Sequence, residues 1–198
     1  MTVVIMPNAI SPALLRACEA AWPEPSWNGW HRYKGATADK YGSLHHSLIP
    51  RACMAALDAL AELASTRIGN SFIDYDLHAA GLHMMPPGGF LGRHLDAECH
   101  PIRPWRRTHS IVLFVNHQWG ELCGGQLILE PDHRIDVNPN TAVVFETADR
   151  WHSVNRVGTD ISGEHRKTLA LFAWQLSDCA GAIQANFSGS MVTAARPQ

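Results

Sequence analysis

No stretch of the 198 residues approaches the ~20 consecutive apolar residues that a membrane-crossing helix needs. The opening MTVVIMPNAISP lacks a basic region, and Pro7 interrupts its short apolar run, so it does not read as a signal peptide. The five cysteines, Cys18, Cys53, Cys99, Cys123 and Cys179, include no CxxC pair and no zinc-finger spacing. An odd, scattered set is not a disulfide framework, and reduced thiols are expected. These absences together lead to the expectation of a cytoplasmic protein without a membrane partner. An excess of positive charge is also missing: 16 Lys and Arg face 18 Asp and Glu, which argues against nucleic acid as a partner. A Gly-rich phosphate loop is absent, as are helices alternating with strands, so a parallel nucleotide-binding sheet is excluded. Repeats and low-complexity segments are lacking too.

What is present suffices for one buried core, with 46% hydrophobic and 17% charged residues. Ser11-Pro12 ahead of ALLRACEAAW has the chemistry of an N-cap, a proline in the first turn and an amphipathic helix. Leu14, Leu15, Cys18 and Trp22 share one face of it. Residues 22–50 read as irregular, and a second helix is expected from Pro50 to about Arg67, ended by Gly69-Asn70. After residue 70 come short β-branched or aromatic runs broken by PPGG, GGQ and NPN turns, the texture of an antiparallel sandwich or barrel. The expected organisation is a single domain. Residues 1–70 form a helical and irregular support, 71–178 a β core, and 179–198 a loosely held tail.

The chemistry concentrates in Gly92-Arg93-His94-Leu95-Asp96. Residues two apart on a strand project to one face, so His94 and Asp96 can converge on one ion. With twelve histidines and ten aspartates, roughly 0.6 such pairs arise by chance, so the pair alone is weak. The order of the residues downstream adds weight. His152, in Trp151-His152-Ser153-Val154, offers a third ligand from a separate strand, completing a two-histidine, one-carboxylate set with open coordination positions. Then Arg166 opens an apolar strand, with Thr168 on the same face and Lys167 pointing away. A buried guanidinium needs an anion, and its planar fork suits a carboxylate.

From about Leu82 to Trp174 the chain resembles the prolyl 4-hydroxylase-like branch of the iron(II)/2-oxoglutarate dioxygenases. The resemblance rests on Pro87-Gly88-Gly89-Phe90 leading into His94-Leu95-Asp96, and on Ile111 to Asn116. It continues through Trp119 with Gly124-Gly125-Gln126-Leu127, Pro139 with Val143-Val144-Phe145, and Arg166-x-Thr168. It implies a mainly β fold, a double-stranded β-helix (jelly roll, cupin-like) with N-terminal helices. It also implies Fe(II) held by His94, Asp96 and His152, 2-oxoglutarate held by Arg166, O2 as oxidant and ascorbate as reductant. Where relatives place tyrosines beside the co-substrate, Met84 and Phe114 stand here, leaving Ser110 or Thr168 to supply a second contact. The implied reaction is hydroxylation of a C–H bond, foremost on a prolyl or similar side chain of a protein or peptide, with succinate and CO2 released. Two alternatives remain: a hydroxylase of a free small molecule, and a non-catalytic metal-binding jelly roll. Arg103, Trp105, Arg106 and Arg107, just after the iron-binding strand, and Trp30 and Tyr33 in the aromatic-rich segment, are the candidate substrate contacts.

Overall fold

Ser11 starts the first helix, α1 (Pro12–Ala20), by accepting a hydrogen bond from the Leu14 amide at 3.2 Å. A second helix, α2 (Arg51–Ser65), buries Cys53, Ala56, Leu57, Leu60 and Ala64, a stripe at the three-to-four-residue spacing of one helical face. The two helices meet where the Cys53 thiol donates to the Cys18 carbonyl at 3.4 Å. Gly69 takes the left-handed φ of 59° just beyond α2. These elements belong to a computed structural model that describes residues 2–74, 76–78, 80–159, 164–179, 186–187 and 190–191.

The strands form one curled antiparallel sheet. Its larger wall runs in the order β1 (Val3–Pro7), β10 (Thr141–Glu146), β7 (Trp105–Phe114), β12 (Arg166–Leu176), β5 (Gly81–Met85) and β3 (Ala38–Ser43). From β3 the order continues into a smaller wall of β6 (Phe90–Leu95), β11 (His152–Val154), β8 (Leu127–Leu129) and β9 (His133–Ile135). Short additions are β2 (Trp30–Lys34) on β3, β4 (Phe72–Ile73) on β12, and β13 (Asn186–Phe187), whose backbone pairs with both β6 and β14 (Ser190–Met191).

Register assigns the faces. On β12, Leu169 and Leu171 lie opposite Leu113 and Ile111 of β7, and these join Leu82, Met84, Ala142 and Val144 beneath the helices. Alternate residues face inward, where Met85, Phe114, Val143 and Phe145 meet Leu127, Leu129, Ile135 and Val154 of the smaller wall. This is the double-stranded β-helix, with its helices on the outside.

The N-terminal segment departs from expectation. Residues 1–70 contribute three strands, β1, β2 and β3, besides the two helices. The hairpin β2–β3 lies inside the stretch read as irregular, because His31, Arg32, Tyr33 and Lys34 are all exposed and leave no alternation to detect. Most of the expected tail, 179–198, lies outside the described residues. Among the described residues, no helix is long and apolar enough to cross a membrane.

The cysteines require a second correction. Cys99 and Cys179 form a disulfide across 80 residues, with Cα atoms 5.6 Å apart, while Cys18, Cys53 and Cys123 are free. Spacing conceals the pair because the sheet, not the sequence, brings the loop after β6 to the end of β12. The cross-link removes loop entropy from the unfolded chain, worth roughly 4.5 kcal/mol in the chain-entropy model for a loop of this length. Cys179→Ser is therefore expected to lower the melting temperature, and reductant is expected to lower wild type to the same value. A melting curve indifferent to both contradicts the bond.

Candidate active site

His94 and His152 lie opposite each other on the paired strands β6 and β11, with ring centroids 4.1 Å apart. Each Nδ1 is engaged by a backbone carbonyl, Gly92 at 2.9 Å and Arg150 at 3.1 Å, which places the ring proton on that nitrogen. Each Nε2 then presents its lone pair inward. Both lie 3.7 Å from the same oxygen, Oδ1 of Asp96. Three electron-pair donors turned toward one point repel one another unless a cation sits among them, so the donor set fits a bound metal ion. Burial is the largest influence on His152 and lowers its pKa despite Asp96, keeping the imidazole in the neutral form a ligand requires.

Asp96 is held from the other side. Ser110 Oγ donates to Oδ2 at 2.6 Å, and the Arg107 guanidinium lies 3.3 Å from Oδ1. Burial opposes the Asp96 charge, but the Arg107 guanidinium beside it helps to outweigh that cost, and the carboxyl is held well below its ordinary range. Arg107 itself is buried, with its guanidinium 3.7 Å over the Phe172 ring. It faces inward because β7 and β12 shift register between Ala173 and Trp174; strict alternation from Ser110 would turn it outward.

Along the same inner face lies Arg166, also buried. Its Nε donates to the Gly125 carbonyl at 2.8 Å, and its guanidinium stands 5.3 Å from the centre of the Phe114 ring. Burial alone lowers its pKa to about 9. Thr168 is buried on the same face, opposite Phe114. The residue opposite Arg166 on β5 is Met85; Met84 pairs with Lys167 and turns to the helix side, correcting the expectation for Met84. Ser110, expected to help hold the co-substrate, is instead committed to Asp96.

The proposed substrate contacts separate widely. Trp30 is buried among Trp22, Trp27 and Tyr41 in the helix-side core, which overturns its assignment. Arg106 is exposed and pairs with Glu98. Arg103 is exposed beside Asp76, and Trp105 packs edge-on against Phe72 and His100. Tyr33 is half exposed on β2. Of the PIRPWRR run only Arg107 reaches the triad, and there it serves Asp96.

A second convergence, Asp74 with His78 and His100, has Asp74 Oδ2 at 3.0 and 3.1 Å from the two imidazoles. His100 Nδ1 accepts the Ile102 and Arg103 amides, so its proton lies on Nε2 and is donated to Asp74. That is a hydrogen-bonded hub pinning the loop after Asp96.

Residues 80–174 match the family model of the 2OG-Fe(II) oxygenase superfamily. Over that span the chain is a 2OG-Fe(II) oxygenase domain. Its fold is shared by a prolyl-4-hydroxylase of Pseudomonas putida, at 22% identity over 88% of this chain and 92% of that one, with a TM-score of 0.62. A Trichoplax adhaerens prolyl hydroxylase, solved with a peptide of the hypoxia inducible factor oxygen degradation domain, is similar at 18% identity (87% and 83% covered, TM-score 0.61). HygX from Streptomyces hygroscopicus, with nickel and 2-oxoglutarate bound, is similar at 10% identity (87% and 82% covered, TM-score 0.54). No curated protein sequence matches. In this oxygenase, sequence reasoning identified the two histidines and Asp96 that the fold brings together, but missed the Asp96–Arg107 pair and the inward Met85.

Proposed function

We propose that this oxygenase hydroxylates a C–H bond of a prolyl or similar side chain in a protein or peptide, consuming 2-oxoglutarate and releasing succinate and CO2. The observation that carries the reading is one curled sheet whose inner face bears a three-donor metal cradle on its smaller wall and, on its larger wall, a buried guanidinium with no carboxylate partner among the described residues. His94, Asp96 and His152 would hold the ferrous ion, with Ser110 and Arg107 fixing the orientation of Asp96. Arg166 would receive the distal carboxylate of 2-oxoglutarate, and Thr168 stands on the same face for a further contact. The bound iron and co-substrate supply the oxidising chemistry, with O2 as oxidant and ascorbate as reductant. The protein orients the co-substrate between Asp96 and Arg166, and the apolar inner face, with Met85, Phe114 and Phe145, excludes water.

The prolyl substrate is favoured by the two prolyl hydroxylases that share the fold. The test is succinate formation by the purified protein with Fe(II), 2-oxoglutarate and ascorbate, with and without a library of proline-containing peptides. Stimulation by peptides, with a mass gain of one oxygen, is expected. Iron-dependent turnover that only free small molecules stimulate would move the substrate class. Metal binding without any consumption of 2-oxoglutarate would leave a non-catalytic jelly roll.

A further inference from the structure

Lys40 is a basic side chain on the inner wall that the proposed reaction does not use. On β3, Tyr41 packs into the helix-side core and pairs with Met84, while Gly42 pairs with the inward His83. Alternation therefore turns Lys40 inward, with Asp39 and Tyr41 on the opposite face. Beyond β3 the next strand carries Met85, and Met85 lies opposite Arg166, so the two cations flank Met85 on one wall.

The Lys40 ammonium stands 5.6 Å from the centre of the half-exposed Tyr33 ring. Among the described residues it makes no hydrogen bond or ion pair; the adjacent Asp39 is taken by Arg32 at 2.6 Å. Burial is the largest influence on it and pushes its pKa down to about 8, opposed by Asp96 and assisted by Arg166. Both of those groups are therefore close enough for their fields to reach it. Asp96 cannot serve as its partner, being already held by Arg107 and Ser110. The positive charge on this inner face exceeds what Asp96 and one distal carboxylate neutralise, and a partly buried cation without a partner is costly.

We propose that Lys40 binds a carboxylate in the pocket, additional to the one that Arg166 receives. This inference rests on the oxygenase reading. The carboxylate has two sources open to it, the metal-side end of 2-oxoglutarate or an acidic group on the primary substrate such as the C-terminal carboxylate of a prolyl peptide. Either places a negative charge between the metal cradle and the mouth.

The test uses the whole protein loaded with Mn(II), with Lys40→Met and Lys40→Arg as variants and calorimetric titration as the readout. The first arm titrates 2-oxoglutarate. The second, at saturating 2-oxoglutarate, titrates a peptide ending in proline against its C-terminal amide, in which only the terminal charge differs. If the co-substrate is the source, Lys40→Met weakens 2-oxoglutarate by about tenfold or more and Lys40→Arg restores most of the loss. If the substrate is the source, 2-oxoglutarate binding is unchanged, and wild type's preference for the peptide acid over the amide disappears in Lys40→Met and returns in Lys40→Arg. Affinities of Lys40→Met within twofold of wild type for 2-oxoglutarate, with the same acid-to-amide ratio, overturn the proposal. Wild-type protein that takes up no 2-oxoglutarate at all overturns the oxygenase reading, and this one with it.

Discussion

Asp96→Ala is expected to abolish iron-dependent turnover of 2-oxoglutarate, by about a thousandfold or more, and to loosen the fold at the same time. The first effect arises from the donor set. Without the carboxylate, two neutral imidazoles remain, with no anionic ligand and an incomplete face for the ion. The second effect arises from Arg107, whose guanidinium lies 3.3 Å from Asp96 Oδ1 in a buried setting. Removing one partner of a buried pair leaves the other charge uncompensated, at about 3–5 kcal/mol. The two effects separate in the double variant Asp96→Ala/Arg107→Met, which is expected to recover much of the melting temperature and none of the turnover. His152→Ala removes a neutral ligand, so it is expected to lose turnover with a smaller loss of stability. Succinate formation by folded Asp96→Ala at the wild-type rate would refute the metal assignment, and an unchanged melting temperature would refute the structural role of the Arg107 pair.

The range over which each determinant acts decides whether the sequence reveals or conceals it. His94 and Asp96 are readable together because a strand's period of two is local, and the helix start at Ser11 is readable because a cap and its amide lie three residues apart. Arg166 and Thr168 are legible by the same alternation, and Lys167 turns away as alternation requires. Features that depend on another strand are concealed. Whether Met84 or Met85 faces the pocket is decided by pairing with β12, and which arginine of the PIRPWRR run enters is decided by the register shift opposite Trp174. The disulfide and the Asp74–His100 bond of the hub join residues that only the folded sheet brings together. Trp30 misled because an aromatic in a polar stretch resembles a binding residue, whereas its indole Nε1 donates to the Glu24 carbonyl and its ring fills the core. Lys40 is concealed for the opposite reason: one lysine between Asp39 and Tyr41 in a polar stretch carries no local mark.

Arg166→Met is expected to move stability and binding in opposite directions. In the ligand-free protein the guanidinium is buried, held by the Gly125 carbonyl and an aromatic ring, and has no carboxylate partner among the described residues. A side chain of similar length without charge removes that desolvation penalty, so the ligand-free variant is expected to melt at or above the wild-type temperature. Its Michaelis constant for 2-oxoglutarate is expected to rise by about a hundredfold, the effect of losing a buried charged hydrogen bond. Linkage supplies an independent readout: co-substrate at a hundred times its dissociation constant stabilises wild type by about 2.7 kcal/mol, and that upward shift is expected to vanish in the variant. Gly125→Ala approaches the same site from the backbone. Gly125 holds a φ of 73°, and a Cβ there would meet Arg166 Cδ at 2.7 Å, so the guanidinium is displaced while its charge remains. This variant should lose co-substrate affinity without the gain in ligand-free stability, because the uncompensated cation is still buried. A wild-type Michaelis constant in Arg166→Met, or a retained thermal shift on adding 2-oxoglutarate, would remove Arg166 from the co-substrate site; a fall in the ligand-free melting temperature would mean that the guanidinium holds the fold together.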